Sequence, residues 1–124
     1  MLVYLIKKSG GTVIKTIGDS VMATFKSAVH AVNCAKAIQE ELKGKPLKIR
    51  IGLHLGEVAH KDGDAYGHNV NIAARIESKA PPAGIAVSED IYKQVHGKVQ
   101  HKFKMVGYVE LKNIKEPIKL YKVL

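Results

Sequence analysis

The segment 12–25, TVIKTIGDSVMATF, determines the fold prediction, because it has the pattern of two β-strands joined by a tight turn. Both halves are rich in β-branched and apolar residues, and Gly18 and Asp19 separate them. Two strand-like runs separated by two residues that include glycine are a strong signal for a hairpin. A carboxylate at the tip of such a hairpin is exposed and suits a hard cation such as Mg²⁺, although Gly-Asp is also ordinary turn chemistry.

Outside this hairpin, helical and strand patterns alternate along the chain. From Ser27 onward, apolar residues recur at steps of three and four, which predicts an amphipathic helix with Ser27 as its cap. The other predicted elements are a helix end over 1–8, a strand pair formed by 48–53 and the stretch around Val58, a helix over about 69–79, a strand over 85–87, a helix from Ser88 to Gly97, and β-structure over 103–124. This order predicts one domain, residues 1–124, of class α+β, with helices packed on one face of a mixed sheet.

The composition is that of a single globular domain, with 124 residues of which 46% are hydrophobic and 25% charged. The one cysteine, Cys34, lies beside the apolar face of the predicted helix. We interpret it as a packed thiol rather than a nucleophile, and a lone cysteine indicates a reducing compartment. The apolar run 2–6 is too short to span a bilayer, and its charges follow it, unlike those of a signal peptide. We therefore expect a cytoplasmic protein without membrane insertion.

The net charge of +9 raises the question of a nucleic-acid partner. The lysines are spread over the whole chain, however, and the sequence shows neither an RNP-like aromatic pair nor a zinc-finger spacing. We interpret the charge as a solvated lysine-rich surface without a nucleic-acid partner, which also favours a polyphosphate ligand. There is no Walker A or GxGxxG sequence, so we do not expect a glycine-rich loop to bind the phosphates.

Arginine usage identifies candidate phosphate-binding residues. Of the 20 lysines and arginines, only Arg50 and Arg75 are arginines. A planar guanidinium binds phosphate oxygens through two parallel hydrogen bonds, so both positions are candidates for such contacts. Asn71 precedes Arg75 by one helical turn, so the pair shares a face and could hold a ribose or a phosphate in a transition state. A structural ion pair for Arg50 and a helix cap for Asn71 are the open alternatives.

Lys15 and Asp64 carry weaker signals. By strand alternation Lys15 shares a face with the apolar Val13 and Ile17, which is unusual unless the lysine reaches a ligand. Asp64 lies in a polar Asp-Gly-Asp sequence and fits a surface loop equally well. The histidines show no metal-ligand spacing, and we interpret them as structural.

The order and spacing of these signals together are specific. The relevant segments are IKTIGDSVMATF (14–25), IRIGLHLGEV (49–58), DAYGHNVNIAARIE (64–77) and LKNIKEPIKLYKV (111–123). They closely resemble the class III adenylate/guanylate cyclase catalytic domain, and the resemblance covers about residues 10–123. It implies a ferredoxin-like α+β fold with helices packed on a mixed sheet. It also implies a homodimer, or a heterodimer with another cyclase domain, with active sites at the interface.

The same resemblance implies a role for each candidate residue. Asn71 and Arg75 match the pair that orients the ribose and stabilises the transition state. Lys15 and Asp64 match the pair that reads adenine, which points to ATP rather than GTP as the substrate. Arg50 and Lys112 match residues that bind the triphosphate, and Asp19 matches the second metal-binding aspartate.

The implied reaction is attack of the ribose 3′ oxygen on the α-phosphate of ATP, giving cyclic AMP and pyrophosphate with the help of two Mg²⁺ or Mn²⁺ ions. In the family, a first strand and helix with a further metal-binding aspartate precede this region. We expect these elements to be missing here, because residues 1–18 contain no carboxylate. Two smaller departures from the family pattern are His68 and Asn113, where aspartate and glycine are usual.

Two functions are compatible with these observations. The first is an adenylate cyclase domain for intracellular signalling, whose rate in this chain alone would fall by orders of magnitude for want of one metal ligand. The second is a non-catalytic, truncated cyclase-like module that binds nucleotide or a partner cyclase subunit. Loss of a central strand motivates the second function, because it leaves sheet edges that another chain can fill.

Overall fold

A computed structural model describes the backbone of residues 2–17, 20–55, 59–61, 64–66 and 68–124, and the side chains of residues 4–12, 23–55 and 71–124. The helices are α1 (Leu2–Lys8), α2 (Ala28–Leu42), α3 (His68–Lys79) and α4 (Glu89–Val95). The strands are β1 (Gly11–Ile17), β2 (Ser20–Phe25), β3 (Ile51–Leu53), β4 (Ala59–Lys61), β5 (Asp64–Tyr66), β6 (Ile85–Ser88), β7 (Phe103–Val109) and β8 (Ile118–Val123).

The predicted hairpin is present as β1 and β2, which pair antiparallel along their length. Its turn residues, Gly18 and Asp19, lie outside the described residues. The register shifts between Val13 and Lys15, as it does at a β-bulge. An extra residue at this point breaks the period of two, so the argument that placed Val13 and Lys15 on one face does not hold.

Among the described residues, the main sheet has four strands in the order β3-β6-β8-β7. Strands β3 and β6 run parallel, whereas β8 pairs antiparallel with both β6 and β7. This arrangement confirms the predicted mixed sheet of an α+β domain. The hairpins β1–β2 and β4–β5 form separate two-stranded sheets.

Helices cover both faces of the main sheet, so the predicted packing on one face is wrong. Val87 of β6 packs with Val32 of α2 and Ile91 of α4. The adjacent Ala86 packs on the opposite side, with Ile76 of α3. A strand that is covered on both faces needs consecutive apolar residues, and all four residues of β6 are buried.

The helix predicted from Ser27 is α2, and the Ser27 hydroxyl accepts a hydrogen bond from the His30 backbone N–H at 3.3 Å. Cys34 lies on the buried face of this helix and is 1% exposed. Its thiol donates to the Leu5 carbonyl oxygen at 3.6 Å. Burial raises the pKa of Cys34, and a hydrogen bond with Ser9 opposes this effect more weakly. Cys34 is therefore the packed thiol that the sequence predicts.

The strand predicted over 48–53 is shorter in the structure, where β3 begins at Ile51. The preceding residues are held by other bonds. The Ile49 carbonyl oxygen accepts hydrogen bonds from the Ala83 backbone N–H and from the side chain of Gln39. The alternating pattern therefore overstates the length of the strand.

The strand predicted around Val58 corresponds to β4, although Val58 itself lies outside the described residues. Among the described residues β3 pairs with β6 and β4 pairs with β5, so the predicted pairing of these two strands is wrong there. Asp64 begins β5 and is paired with Lys61, so its backbone lies in a strand and not in a loop. The predictions for 1–8, 69–79, 85–87, 88–97 and 103–124 are confirmed by α1, α3, β6, α4 and the β7–β8 hairpin. In the described part of the chain, no helix is both long enough and apolar enough to cross a bilayer.

We predict that the native fold protects Cys34 from alkylation. Iodoacetamide at about pH 8 should modify the native protein roughly 100-fold more slowly than the denatured protein, because burial covers the thiol and keeps it protonated. Mass spectrometry over time measures the two rates. The control is Cys34→Ala/Ala37→Cys, which moves the thiol to an exposed position on the same helix and should react at the denatured rate. Equal rates for the native and denatured unaltered protein would contradict the burial.

Candidate functional site

Helix α3 carries the two residues with the strongest sequence signal. Ile72 and Ile76 are 4% and 0% exposed and hold the helix against the sheet. Asn71 is exposed and Arg75 is half-buried, and each lies one position before one of these isoleucines. The two polar side chains are therefore neighbours beside the buried face. Since α3 begins at His68, Asn71 lies within the helix, and the capping alternative is wrong.

The backbone of α3 lies very close to the backbone of β3. A Cβ atom on Gly52 would come within 3.0 Å of backbone atoms of both Ala73 and Glu77. Only a residue without a side chain allows a helix and a strand to approach so closely. The position of α3 on the sheet, and with it the position of Asn71 and Arg75, therefore depends on Gly52.

The strands that carry Lys15 and Asp64 are neighbours. Strand β1 contacts β5, and β5 contacts α3. The structure thus brings the strand of Asp64 next to the helix that carries Asn71 and Arg75, and the strand of Lys15 next to the strand of Asp64. The side chains of Lys15 and Asp64 lie outside the described residues.

Lys112 lies in a turn that packs beside α3. Leu111 is 4% exposed in the same core cluster as the α3 isoleucines, and Ile114 packs against that cluster. The Ile114 N–H donates to the Leu111 carbonyl oxygen at 3.0 Å, and Asn113 between them has a left-handed φ of 63°. Asparagine tolerates this conformation better than most residues, so Asn113 suits the turn. The two anchors leave Lys112 exposed.

Arg50 lies apart from this group. It follows Ile49, whose carbonyl oxygen is bonded to the Ala83 N–H, shortly after the end of α3. Asn71 lies in the first turn of α3, about 12 Å along the axis from Lys79 at its end. The backbone beside Arg50 is therefore bonded just beyond the end of α3, whereas Asn71 lies near its start.

Three of the four candidate cations, Arg50, Arg75 and Lys112, have side chains that the structure describes. Arg50 and Lys112 are exposed. Neither they nor Arg75 forms an ion pair with another residue that the structure describes. The ion-pair alternative for Arg50 therefore finds no partner in that part of the chain, and it stays open for the other carboxylates. Cations without a protein counter-ion suit a polyphosphate ligand.

Asp19, the predicted metal ligand, lies outside the described residues. Among the residues that are described, no three or more His, Cys, Asp or Glu side chains are grouped so that they could hold a metal ion. The metal site therefore stays a prediction from the sequence.

A side-chain hydrogen bond continues the pairing of β3 and β6. His54 and Ser88 occupy the next position of the parallel register after Leu53 and Val87. His54 Nδ1 and Ser88 Oγ are 2.9 Å apart, and Ser88 is 1% exposed. Ser88 occupies the N-cap position of α4, as predicted, but its hydroxyl makes no capping bond there. The structural role predicted for His54 agrees with this contact.

Sequence reasoning missed Gly52 and Gln39. An isolated glycine in a strand pattern is a known signal for close backbone approach, and it would have identified Gly52. No pattern marks Gln39, because its partners are the backbone carbonyl groups of Ile49 and Gly84, which are distant in sequence.

Comparison with known proteins identifies the family. The family described as "Adenylate and Guanylate cyclase catalytic domain" matches residues 2–124. A Rhizobium meliloti (strain 1021) protein named "Putative adenylate cyclase 3" is 40% identical over 119 residues, which is 90% of this chain. The chain belongs to the adenylate and guanylate cyclase catalytic domain family. It spans only 20% of the length of the Rhizobium relative.

Solved structures agree with this assignment. An adenylate/guanylate cyclase/hydrolase from Silicibacter pomeroyi is 31% identical with a TM-score of 0.94, and the match covers 100% of this chain and 77% of that chain. The catalytic core of a rhodopsin-guanylyl cyclase with converted specificity, in complex with ATPαS, is 30% identical with a TM-score of 0.87. That match covers 99% of this chain and 76% of the other. The cyclase fold predicted from the sequence is confirmed.

We predict that Gly52→Ala displaces α3. The added methyl group meets backbone atoms of Ala73 and Glu77, which cannot rotate away, so the variant should lose about 3 kcal/mol of stability. Amide chemical shifts along α3 should change with it. Gly44→Ala is the control, because Gly44 has a φ of 80° but no atom within 4 Å of the point where its methyl group would lie, so only backbone strain of about 1 kcal/mol is added. Denaturant unfolding measures both losses, and equal losses with unchanged α3 shifts would contradict the close approach.

Proposed function

We propose that the chain is an adenylate cyclase catalytic domain that converts ATP to 3′,5′-cyclic AMP and pyrophosphate for intracellular signalling. The contacts of β5 with both β1 and α3 carry this proposal, because these three elements bear Asp64, Lys15, and the pair Asn71 and Arg75. Family membership, a relative named as an adenylate cyclase and the ATPαS complex of a related core support it.

Lys15 and Asp64 would select the adenine base. A lysine ammonium donates to a ring nitrogen of adenine, while a carboxylate accepts from its exocyclic amine. Guanine has a carbonyl oxygen in place of that amine, which would face the carboxylate and repel it. The pair would therefore favour ATP over GTP.

Asn71 and Arg75 would act on the ribose and the α-phosphate. The Asn71 amide would hold the ribose so that its 3′ oxygen lies in line with the α-phosphate. The Arg75 guanidinium would donate hydrogen bonds to the α-phosphate oxygens, on which negative charge develops in the transition state. Positioning and charge stabilisation supply most of the catalysis in phosphoryl transfer. Arg50 and Lys112 would bind the terminal phosphates, which leave as pyrophosphate.

We propose a requirement for Mg²⁺ or Mn²⁺, with Asp19 as one ligand. When bound, such ions make the nucleophile more acidic and neutralise the leaving group. Since the described residues do not complete a metal site, the roles above concern only the side chains of the protein.

We also propose that each active site forms between two chains, in a homodimer or in a heterodimer with another cyclase domain. The backbone beside Arg50 is bonded just beyond the end of α3, whereas Asn71 lies near its start, so Arg50 from one chain would complete a site with Asn71 from the other. The proposed location is the cytoplasm, where ATP is available and the single thiol stays reduced.

A cyclase assay with ATP and Mn²⁺ tests the proposal on this chain and on a longer chain that adds a family first strand and helix at the N-terminus. We expect cyclic AMP from the longer chain. Within it, Asn71→Ala or Arg75→Ala should lower kcat by about 100-fold or more, because each removes a donor that acts in the transition state. Lys79→Ala, an exposed charge at the end of the same helix, is the matched control and should keep its activity. If the longer chain made no cyclic AMP, the enzyme proposal would be abandoned.

The second candidate function is a non-catalytic module that binds nucleotide or a partner cyclase subunit. One observation favours it. Strands β2 and β3 both contact α2, yet within the described residues they belong to separate sheets, and each pairs with a strand on only one side. Such edges can accept a strand from another chain.

The molecular mass in solution, measured with and without ATP, tests this second function. The module is expected to form a dimer, or to bind ATP without turnover. A stable monomer that does not bind ATP would rule it out.

A further inference from the structure

The side chain of Gln39 donates two hydrogen bonds at the start of the β3–β6 pair. Its side-chain Nε2 donates to the Ile49 carbonyl oxygen at 3.1 Å and to the Gly84 carbonyl oxygen at 3.0 Å. The same two carbonyl groups also accept from backbone donors, Ala83 N–H at 3.0 Å and Ile51 N–H at 3.1 Å respectively. A single side chain from α2 thus joins the segment before β3 to the segment before β6.

The orientation of this amide is determined by its partners. Both partners are acceptors, so only the NH₂ group can face them, and a flipped amide would put oxygen against oxygen. The Gln39 Oε1 atom is consequently buried without a hydrogen-bond partner among the described residues. A buried acceptor without a partner destabilises the fold, so the two donated bonds are what this glutamine contributes.

Arg50 lies between the two bonded positions. Before it, the Ile49 carbonyl oxygen accepts a hydrogen bond directly from Gln39. After it, the Ile51 N–H donates to the Gly84 carbonyl oxygen, which also accepts from Gln39. Arg50 itself precedes the strand and has an exposed side chain. We infer that Gln39 is a positioning residue for Arg50, which fixes the backbone on both sides of it so that the guanidinium is presented to the terminal phosphates of the nucleotide.

This inference rests on the proposed role of Arg50 in ATP binding. The proposed effect of Gln39 differs from a general loss of stability, because a loosened backbone at Arg50 would weaken only the contacts between Arg50 and ATP. If Gln39 acts through Arg50, the two substitutions are not additive.

ATP titration by isothermal calorimetry, in the presence of Mg²⁺, measures this coupling without requiring turnover. Arg50→Ala should weaken ATP binding about 10- to 100-fold, as expected for lost hydrogen bonds from a charged group. Gln39→Met, which keeps the volume but removes both donors, should weaken it about 5- to 10-fold. In the Arg50→Ala background, Gln39→Met should cause no further loss.

Two further variants separate positioning from folding. Val95→Ala creates a cavity in the core, at a residue that is 0% exposed, and should lower the melting temperature without changing the affinity for ATP. Gln39→Asn keeps the amide but is too short to reach both carbonyl groups, and it provides a milder change should the Met variant fail to fold. Faster hydrogen exchange at the Ile51 and Ala83 amides should accompany either Gln39 substitution.

Each outcome bears on the inference. Unchanged affinity in a folded Gln39 variant, or a full additional loss in the Arg50→Ala background, would overturn it. If Arg50→Ala bound ATP like the unaltered chain, the role of Arg50 and this inference would both be wrong, while the cyclase proposal would stand. If the unaltered chain did not bind ATP, the inference would fail with the nucleotide-binding proposal on which it rests.

Discussion

At Gly52 the backbone of β3 meets the backbone of α3 with no side chain between them. This contact sets how far α3 lies from the sheet, and therefore where Asn71 and Arg75 stand relative to the strand that carries Asp64. Buried isoleucines on α3 and anchors such as Leu111 fill the space around the contact. They can pack in this way only because the separation is already small. A helix displaced by the width of a methyl group would carry its polar residues with it.

Strand β3 is only three residues long, and hydrogen bonds from side chains extend its pairing at both ends. Gln39 acts at the start of the β3–β6 pair, and the contact between His54 and Ser88 acts at its end. Short parallel pairs are weak in isolation, so these bonds and the apolar cover on both faces hold the strand in register. Arg50 and Gly52 both belong to this reinforced segment, which joins the two parts of the candidate site.

The elements that sequence predicted well are those whose signals are local. The hairpin of β1 and β2 and the helix capped by Ser27 follow from turn chemistry and from periodicity. The missed features depend on contacts between distant segments. They include the packing of helices on both faces of β6 and the hydrogen bond between the Ser88 hydroxyl and His54 in place of a helix cap. They also include the hydrogen bonds from Gln39 to two carbonyl groups that are distant in sequence. The break in alternation before Lys15 was also missed, because a bulge adds one residue without changing composition.

The placement of the backbone beside Arg50 just beyond the end of α3, and of Asn71 near its start, has a consequence for control under the proposed function. A single chain then holds parts of two sites and completes neither, so the output is set by how many chains are paired. While most chains are unpaired, the number of pairs grows with the square of the chain concentration, and doubling the amount of protein gives about four times the output. Any attached segment that brought two chains together or kept them apart could switch cyclic AMP production without touching the nucleotide.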